Sequence, residues 1–211
     1  MTPKKQNYEN LADSLIEKFN LRGIEGYYCD SKEEALAMAK RFLTPDCSIS
    51  WGGSMTLEEI GFFDEINDSD YVIYDRNTAT TPEEYSEMYS KIVTSDYFFM
   101  SSNAITLDGQ LINIDGRGNR VACLIAGPKN VIIVAGMNKI VTDVESGIER
   151  VRNMAAPPNA VRLHKKTPCS EIGRCANCLS DDCICCQIVV TRKSLIPGRI
   201  KVILVGEELG Y

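Results

Sequence analysis

The sequence predicts an α/β domain built on a mostly parallel sheet, and three observations point there. Short β-branched or aromatic runs, such as residues 97–101 and 131–135, alternate along the chain with segments of helical period. Helix-opening signals recur between them, in the patterns of Ser31 with Glu34 and of Thr81-Pro82-Glu83-Glu84. Glycine-rich turns follow the predicted strands at several points. At 211 residues the chain suits one domain, residues 1–211, large enough to bury a real core.

Each element has a local reason. Tyr8, Leu11, Leu15 and Phe19 share a helical period over residues 8–20, stopped near Gly23. A strand over 26–29 precedes a helix that Ser31 opens and Pro45 ends. Residues 47–51 read as a buried strand running into Gly52-Gly53-Ser54. Thr56 with Glu59 forms a capping-box pattern for a short helix to about residue 60. Residues 71–74 and 97–101 are strands on either side of the helix that Thr81 starts. Asp108-Gly109 between alternating apolar residues of 105–114 signals a hairpin. Residues 131–135 form a strand, 139–153 a helix, and 199–205 a last apolar strand.

Bulk composition excludes several classes. Formal net charge is −6 and the basic residues are scattered in sequence, so no broad field attracts a nucleic-acid backbone. The opening MTPKKQNYENLADSLIEKF is too polar for a signal peptide, and no apolar run is long enough to span a bilayer. The expectation is a cytoplasmic protein with no membrane association. In a reducing cytosol nine cysteines are poor disulfide material, and an odd number cannot all pair within one chain.

Those cysteines carry the strongest chemical signal. Cys169, Cys175, Cys178, Cys183, Cys185 and Cys186 fall within eighteen residues, in a segment over 167–187 that breaks the α/β rhythm and reads as a cysteine-rich loop insertion. The spacing C-x5-C-x2-C lets Cys169, Cys175 and Cys178 converge on one metal centre. Neighbours in an extended segment point to opposite faces, so Cys185 and Cys186 do not share it. Spacing leaves Cys183 and Cys185 tied as the fourth ligand. A compact loop of four thiolates points to an iron–sulfur cluster, most simply 4Fe-4S. Zinc is the alternative, although structural zinc usually has two C-x2-C knuckles where this chain has one. Cys29, Cys47 and Cys123 lie in or beside apolar strands and read as buried, inert thiols.

A second constellation is a set of loops after strands: Gly52-Gly53-Ser54, Ser102-Asn103-Ala104 and Gly136-Met137-Asn138-Lys139. In an open α/β sheet such loops share the C-terminal edge, where ligands bind. They predict a crevice for a small anionic substrate, with Gly52, Gly53, Ser54, Ser102, Asn103, Asn138 and Lys139 as binding residues and Lys139 as counter-charge. Asp115 and Arg120, in Asp-Gly-Arg-Gly-Asn-Arg, are candidates for acid–base work and carboxylate clamping. The competing reading of that stretch is a glycine-punctuated turn with an ion pair. His164, the sole histidine, reads as an ordinary surface side chain.

Four blocks then bear a family likeness: SWGGSMTLEEIG (50–61), SSNAITLDGQLINIDGRGNRVA (101–122), VIIVAGMNKIV (131–141) and PCSEIGRCANCLS (168–180). Together they resemble the lactate-utilisation, or LUD, domain family, and more narrowly its stand-alone bacterial members with a C-terminal cysteine cluster. The resemblance implies a Rossmann-like sheet flanked by helices, in the fold shared by ribose-5-phosphate isomerase and CoA transferases. It also favours Cys185 as the fourth ligand, since the family's cysteine stands there and an arginine or similar residue stands at Cys183. Related domains work with iron–sulfur partners in oxidising lactate to pyruvate. The implied function is an enzyme of organic-acid redox metabolism, with an electron-transfer protein as partner and self-association open to it. Two further readings stay open: a non-redox sugar-phosphate or CoA-ester enzyme with a structural zinc, and a non-catalytic accessory subunit of an electron-transfer complex.

Overall fold

The computed structural model describes residues 2–67 and 71–211, Asn67 by its backbone alone. The strands are β1 (Glu25–Cys29), β2 (Ser48–Trp51), β3 (Val72–Ile73), β4 (Tyr97–Met100), β5 (Ala104–Thr106), β6 (Leu111–Asp115), β7 (Asn130–Gly136), β8 (Ile140–Val141), β9 (Gln187–Thr191) and β10 (Ile200–Val205). The helices are α1 (Pro3–Leu21), α2 (Lys32–Arg41), α3 (Met55–Glu59), α4 (Phe62–Asn67), α5 (Pro82–Val93), α6 (Asn119–Ile125), α7 (Val144–Arg150), α8 (Ala156–Arg162) and α9 (Pro168–Ile172).

The main sheet is parallel throughout, in the order β1-β10-β7-β4-β2-β3. Its central strand β7 shows why both faces must be covered. Val131, Ile133 and Ala135 pack with α1, α5 and α6 through Leu15, Phe19, Ile92 and Leu124. Ile132 and Val134 point the other way, onto Ala35 and Ala39 of α2 and Leu57, Phe62 and Ile66 of α3 and α4. A strand buried on both sides needs an unbroken apolar run, which is what the sequence has there. Burying each such side chain contributes on the order of 1.5–3 kcal/mol, so this layered packing holds the sheet edge rigid.

A second sheet was not expected from the sequence. The predicted hairpin forms, but its strands leave the main sheet and join another, in the order β8-β5-β6-β9. Its turn is a three-residue loop: Thr106 pairs with Gln110, and Gly109 takes φ +85, a left-handed conformation that glycine adopts without strain. The predicted helix over 139–153 starts later, at Val144, where the Asp143 side chain accepts from the Ser146 amide. Residues 140–141 are the strand β8 instead. Between α7 and α8 the backbone widens into a π-helical turn, Val151–Ala155. Gly147 lets α7 close onto this sheet, since a Cβ there would lie 2.1 Å from Ile112 Cδ1.

The helix starts follow their caps with two corrections. Thr81 and Glu84 form the reciprocal capping box of α5. Ser31 caps α2, while Glu34 reaches back to the Asp30 amide, one residue earlier than the pattern implies. For α3 the cap is Ser54, not Thr56. The Thr56 hydroxyl is drawn inward by a buried lysine amine and does not cap the helix.

Candidate functional site

The three glycine- and serine-rich loops follow β2, β4 and β7, which are neighbours in the main sheet, so they lie on one edge. The loop after β4, Ser101 to Asn103, also leads directly into the second sheet. Where the two sheets diverge, a cleft of about 450 Å³ opens. Gly53, Ser54, Asn103, Lys139, Asp115 and Arg120 line it. Gly52, Ser102 and Asn138 stand behind the lining. A Cβ on Gly52 would lie 2.8 Å from Arg120 Cδ, so this glycine gives the arginine room to pass. Ser102 is fully buried and donates to the Ala104 carbonyl at 2.9 Å. Asn138 Oδ1 accepts from the Leu209 amide at 3.1 Å, tying the C-terminal residues to the site.

Arg120 is the pin of this architecture. Its guanidinium donates to Ser101 O (3.1 Å), Asn113 Oδ1 (2.6 Å), Asn103 Oδ1 (2.9 Å) and Ile114 O (2.9 Å). Its Nε lies 3.5 Å from Asp115 Oδ2, with both side chains largely buried. The donors that could clamp a ligand carboxylate are thus engaged in joining the two sheets. Asp115 Oδ1 accepts from the Gly118 amide at 3.0 Å, an Asx-type turn that sets Gly118 at φ +86 before α6. Asp115 Oδ2 has no hydrogen-bond donor and is buried beside the cleft. An acceptor left in that state costs free energy until a donor arrives.

Lys139, the last residue of a 3₁₀ turn after β7, is only 3% exposed. Its Nζ donates to Thr56 Oγ1 and Ser101 Oγ, each at 2.8 Å. Burial, with the like charges of Arg150 and Arg120, lowers its pKa to about 7, against a weaker opposing effect of Glu59.

Sequence reasoning missed most of the cleft's charge. Besides Lys139 and Arg120, the lining includes Arg76, Arg117, Arg162 and Lys165, with Asp115 the one acidic side chain among the described residues. Arg76 comes from a 3₁₀ turn after β3, and its guanidinium approaches Gly53 so closely that a Cβ there would lie 3.1 Å from it. Among the described residues Arg76 and Arg117 make no ion pair or hydrogen bond, whereas Arg162 bonds Asn159 and Lys165 meets Asp182. These cations come from separate segments, scattered as the sequence has them. Arg117 between two glycines was the one local hint.

The cysteine-rich segment reaches the same cleft through one residue, Ile184. It leaves α8, forms α9 and returns through β9, which pairs antiparallel with β6 from Asp115↔Gln187 onward. The Cys186 amide donates to Asp115 O at 2.9 Å, and Ile184 lines the cleft against Gly116. The π-helical turn steadies the C-x2-C knuckle: Asn153 Oδ1 accepts from the Cys175 amide at 3.2 Å, and Arg152 donates to Asn177 Oδ1. Several thiols already receive donors: Cys175 from the Asn177 amide, Cys178 from the Ser180 hydroxyl and Cys183 from the Cys185 amide. Burial raises the Cys185 thiol to about 12, with further contributions from Cys183, Cys169, Cys175 and Cys178, so it stands among the other four. Cys186 is exposed. All nine thiols are free. Among the described residues no three His, Cys, Asp or Glu side chains are drawn into metal-holding geometry. The donor set nonetheless fits a thiolate-bound centre, with neighbouring sulfurs and amide or hydroxyl donors to three of them.

Cys29, Cys47 and Cys123 are buried, and burial raises their pKa values, to about 11 for Cys29 and about 12 for Cys123. His164 is exposed. Among the described residues no helix is long and apolar enough to cross a membrane.

Comparison with solved structures finds a DUF162 family protein from Deinococcus radiodurans at 16% identity and a TM-score of 0.50, covering 94% of this chain and 98% of that one. Ribose 5-phosphate isomerase A from Neisseria gonorrhoeae is similar at 16% identity and a TM-score of 0.33, with 54% of each chain covered. No curated protein matches. The LUD domain model matches residues 12–205, nearly the whole length, and the chain belongs to the LUD domain family.

Proposed function

We propose that this LUD-domain protein binds a small organic acid or similar anion in the cleft and acts on it in organic-acid redox metabolism. One observation carries the reading. A chain of net charge −6 gathers Arg76, Arg117, Arg120, Arg162 and Lys165 around one cleft in which, among the described residues, Asp115 is the one acidic side chain. Arg76 and Arg117, free of protein partners among the described residues, are the groups to meet the anion. A planar guanidinium suits carboxylate or phosphate oxygens. Asp115 Oδ2, ion-paired with Arg120 but without a hydrogen-bond donor, is the atom to accept from a ligand hydroxyl and, in a reaction, to take its proton.

Cys169, Cys175, Cys178 and Cys185 are the residues to hold an iron–sulfur cluster. Such a group, when bound, supplies one-electron transfer or Lewis acidity. The chain's own part is to bring the cleft and the cysteine segment together at Asp115-Gly116 and to orient the anion. The size of the cleft favours a second reading. A volume of about 450 Å³ exceeds what a three-carbon acid fills and also admits a sugar phosphate or the end of a CoA ester, with the thiols holding structural zinc.

Calorimetric titration of the anaerobically purified protein with lactate, 2-oxo acids, sugar phosphates and acyl-CoA tests the first point. Binding of an acid that weakens roughly tenfold or more in Arg76→Ala/Arg117→Ala supports it, since charge-assisted contacts contribute about 1.5–3 kcal/mol each. Affinity unchanged in that variant sinks it. Iron, sulfide and zinc analysis decides the metal.

A further inference from the structure

We infer that Lys139 is a carbonyl-reactive amine, which forms an imine with an oxo-acid ligand held in the cleft. This rests on the anion-binding reading above and narrows its ligand to an acid that also carries an aldehyde or ketone.

The geometry fixes the amine's hydrogens. Lys139 Nζ has Thr56 Oγ1 and Ser101 Oγ as acceptors, each at 2.8 Å. Both hydroxyls direct their own protons elsewhere, Thr56 to Leu209 O and Ser101 to Ser102 O, each at 3.4 Å. The lysine is therefore the donor in both contacts. A neutral amine has two N–H groups, and both are satisfied here, which leaves its lone pair unengaged at the cleft lining. An ammonium would bring a third N–H, for which the described residues offer no acceptor.

The charges around the amine point the same way. Arg150 on α7 and Arg120 on α6 face it, and Glu59 on α3 is the one opposing carboxylate among the described residues. Arg150 is itself held by Asn138 O and Asn103 O, so it cannot swing away. Desolvation and flanking cations together are the means by which lysine becomes a nucleophile near neutral pH, and the amine's pKa of about 7 agrees. Arg76 and Arg117 would hold the acid's carboxylate while Nζ meets its carbonyl. The step balances without any co-reactant. The nitrogen lone pair forms a C–N bond as the carbonyl π pair moves to oxygen. The two protons that the nitrogen gives up, held at first by Thr56 and Ser101, pass to that oxygen, which leaves as water as the nitrogen lone pair closes the C=N bond.

The test uses the intact protein with glyoxylate and, separately, 2-oxoglutarate, trapped by cyanoborohydride and mapped by peptide mass spectrometry. The expected result is one reduced adduct, on the peptide containing Lys139, forming faster as pH rises through about 7. In Lys139→Met its yield falls by roughly tenfold or more. Peptide mapping of the unaltered chain decides the matter even if that variant misfolds. Adducts spread over exposed lysines, or none on Lys139 while the acid binds, overturn the imine and leave the anion site standing. Failure of every acid to bind overturns both.

Discussion

Replacing Arg120 by methionine tests how the two sheets are joined. The side chain fits a similar volume but removes four hydrogen bonds and the only cation within 4 Å of Asp115 among the described residues. Asn103 Oδ1 keeps the Ile114 amide, and Asn113 Oδ1 keeps the Asn103 amide. The carbonyls of Ser101 and Ile114 and the carboxylate of Asp115 lose the guanidinium outright. Stranding one partner of a buried ion pair costs about 3–5 kcal/mol, and water entering from the cleft should hold the loss near ~4 kcal/mol. In a domain of this size each kcal/mol moves Tm by about 2–4 °C, so a fall of roughly 10 °C is expected. Urea unfolding at pH 7 measures the free energy directly. Arg120→Lys should recover about half of it, because one ammonium cannot span the same fork of acceptors. A loss below about 1 kcal/mol in Arg120→Met would refute the assignment of this arginine as the pin.

Other expectations follow from single contacts. Asp96 is held at a pKa of about 2 by Lys129 and by the Ser48 amide and hydroxyl. Its contribution is present above the ordinary value of 3.8 and is lost as pH falls from there through about 2; Asp96→Asn should flatten that part of an acid titration followed by circular dichroism. Gly136→Ala would set a Cβ 2.4 Å from Asn138 Oδ1 and 2.6 Å from Leu209 N, displacing the C-terminal residues. A cost of about 1–3 kcal/mol is expected by thermal melting, and an unshifted Tm would show that this tail is not fixed. Iron bound on anaerobic reconstitution should fall sharply in Cys169→Ser but stay level in Cys186→Ser, whose thiol is exposed. Equal iron in both proteins would refute the ligand assignment.

Much of the site was legible only as a location. The loops after residues 51, 101 and 135 could be placed on one edge because each follows a strand in a parallel pattern, and parallel strands all end on the same side of their sheet. What the loops do there was not legible. Gly52 makes room for an arginine side chain, and Asn138 anchors the last residues of the chain; both roles depend on partners about 70 positions away. The helix over 139–153 was drawn too long because β8 has two residues, too few to show a strand period.

Local periodicity and cap chemistry settled the layered α/β domain before any coordinates. A strand buried on both faces must read as β7 does, and a helix start must satisfy its free amides as Thr81 and Glu84 do for α5. Family membership was legible for the same reason, in contiguous blocks of sequence. The cationic cleft was decided only in three dimensions. Arg76, Arg117, Arg162 and Lys165 look like ordinary surface charges in sequence, and strand order alone brings their segments together. The same holds for Lys139, whose lowered pKa and hydrogen bonds depend on burial and on Arg150, Thr56 and Ser101 arriving from three other parts of the chain. Desolvation and electrostatic fields are sums over spatial neighbours, and spatial neighbours are what a linear pattern does not contain.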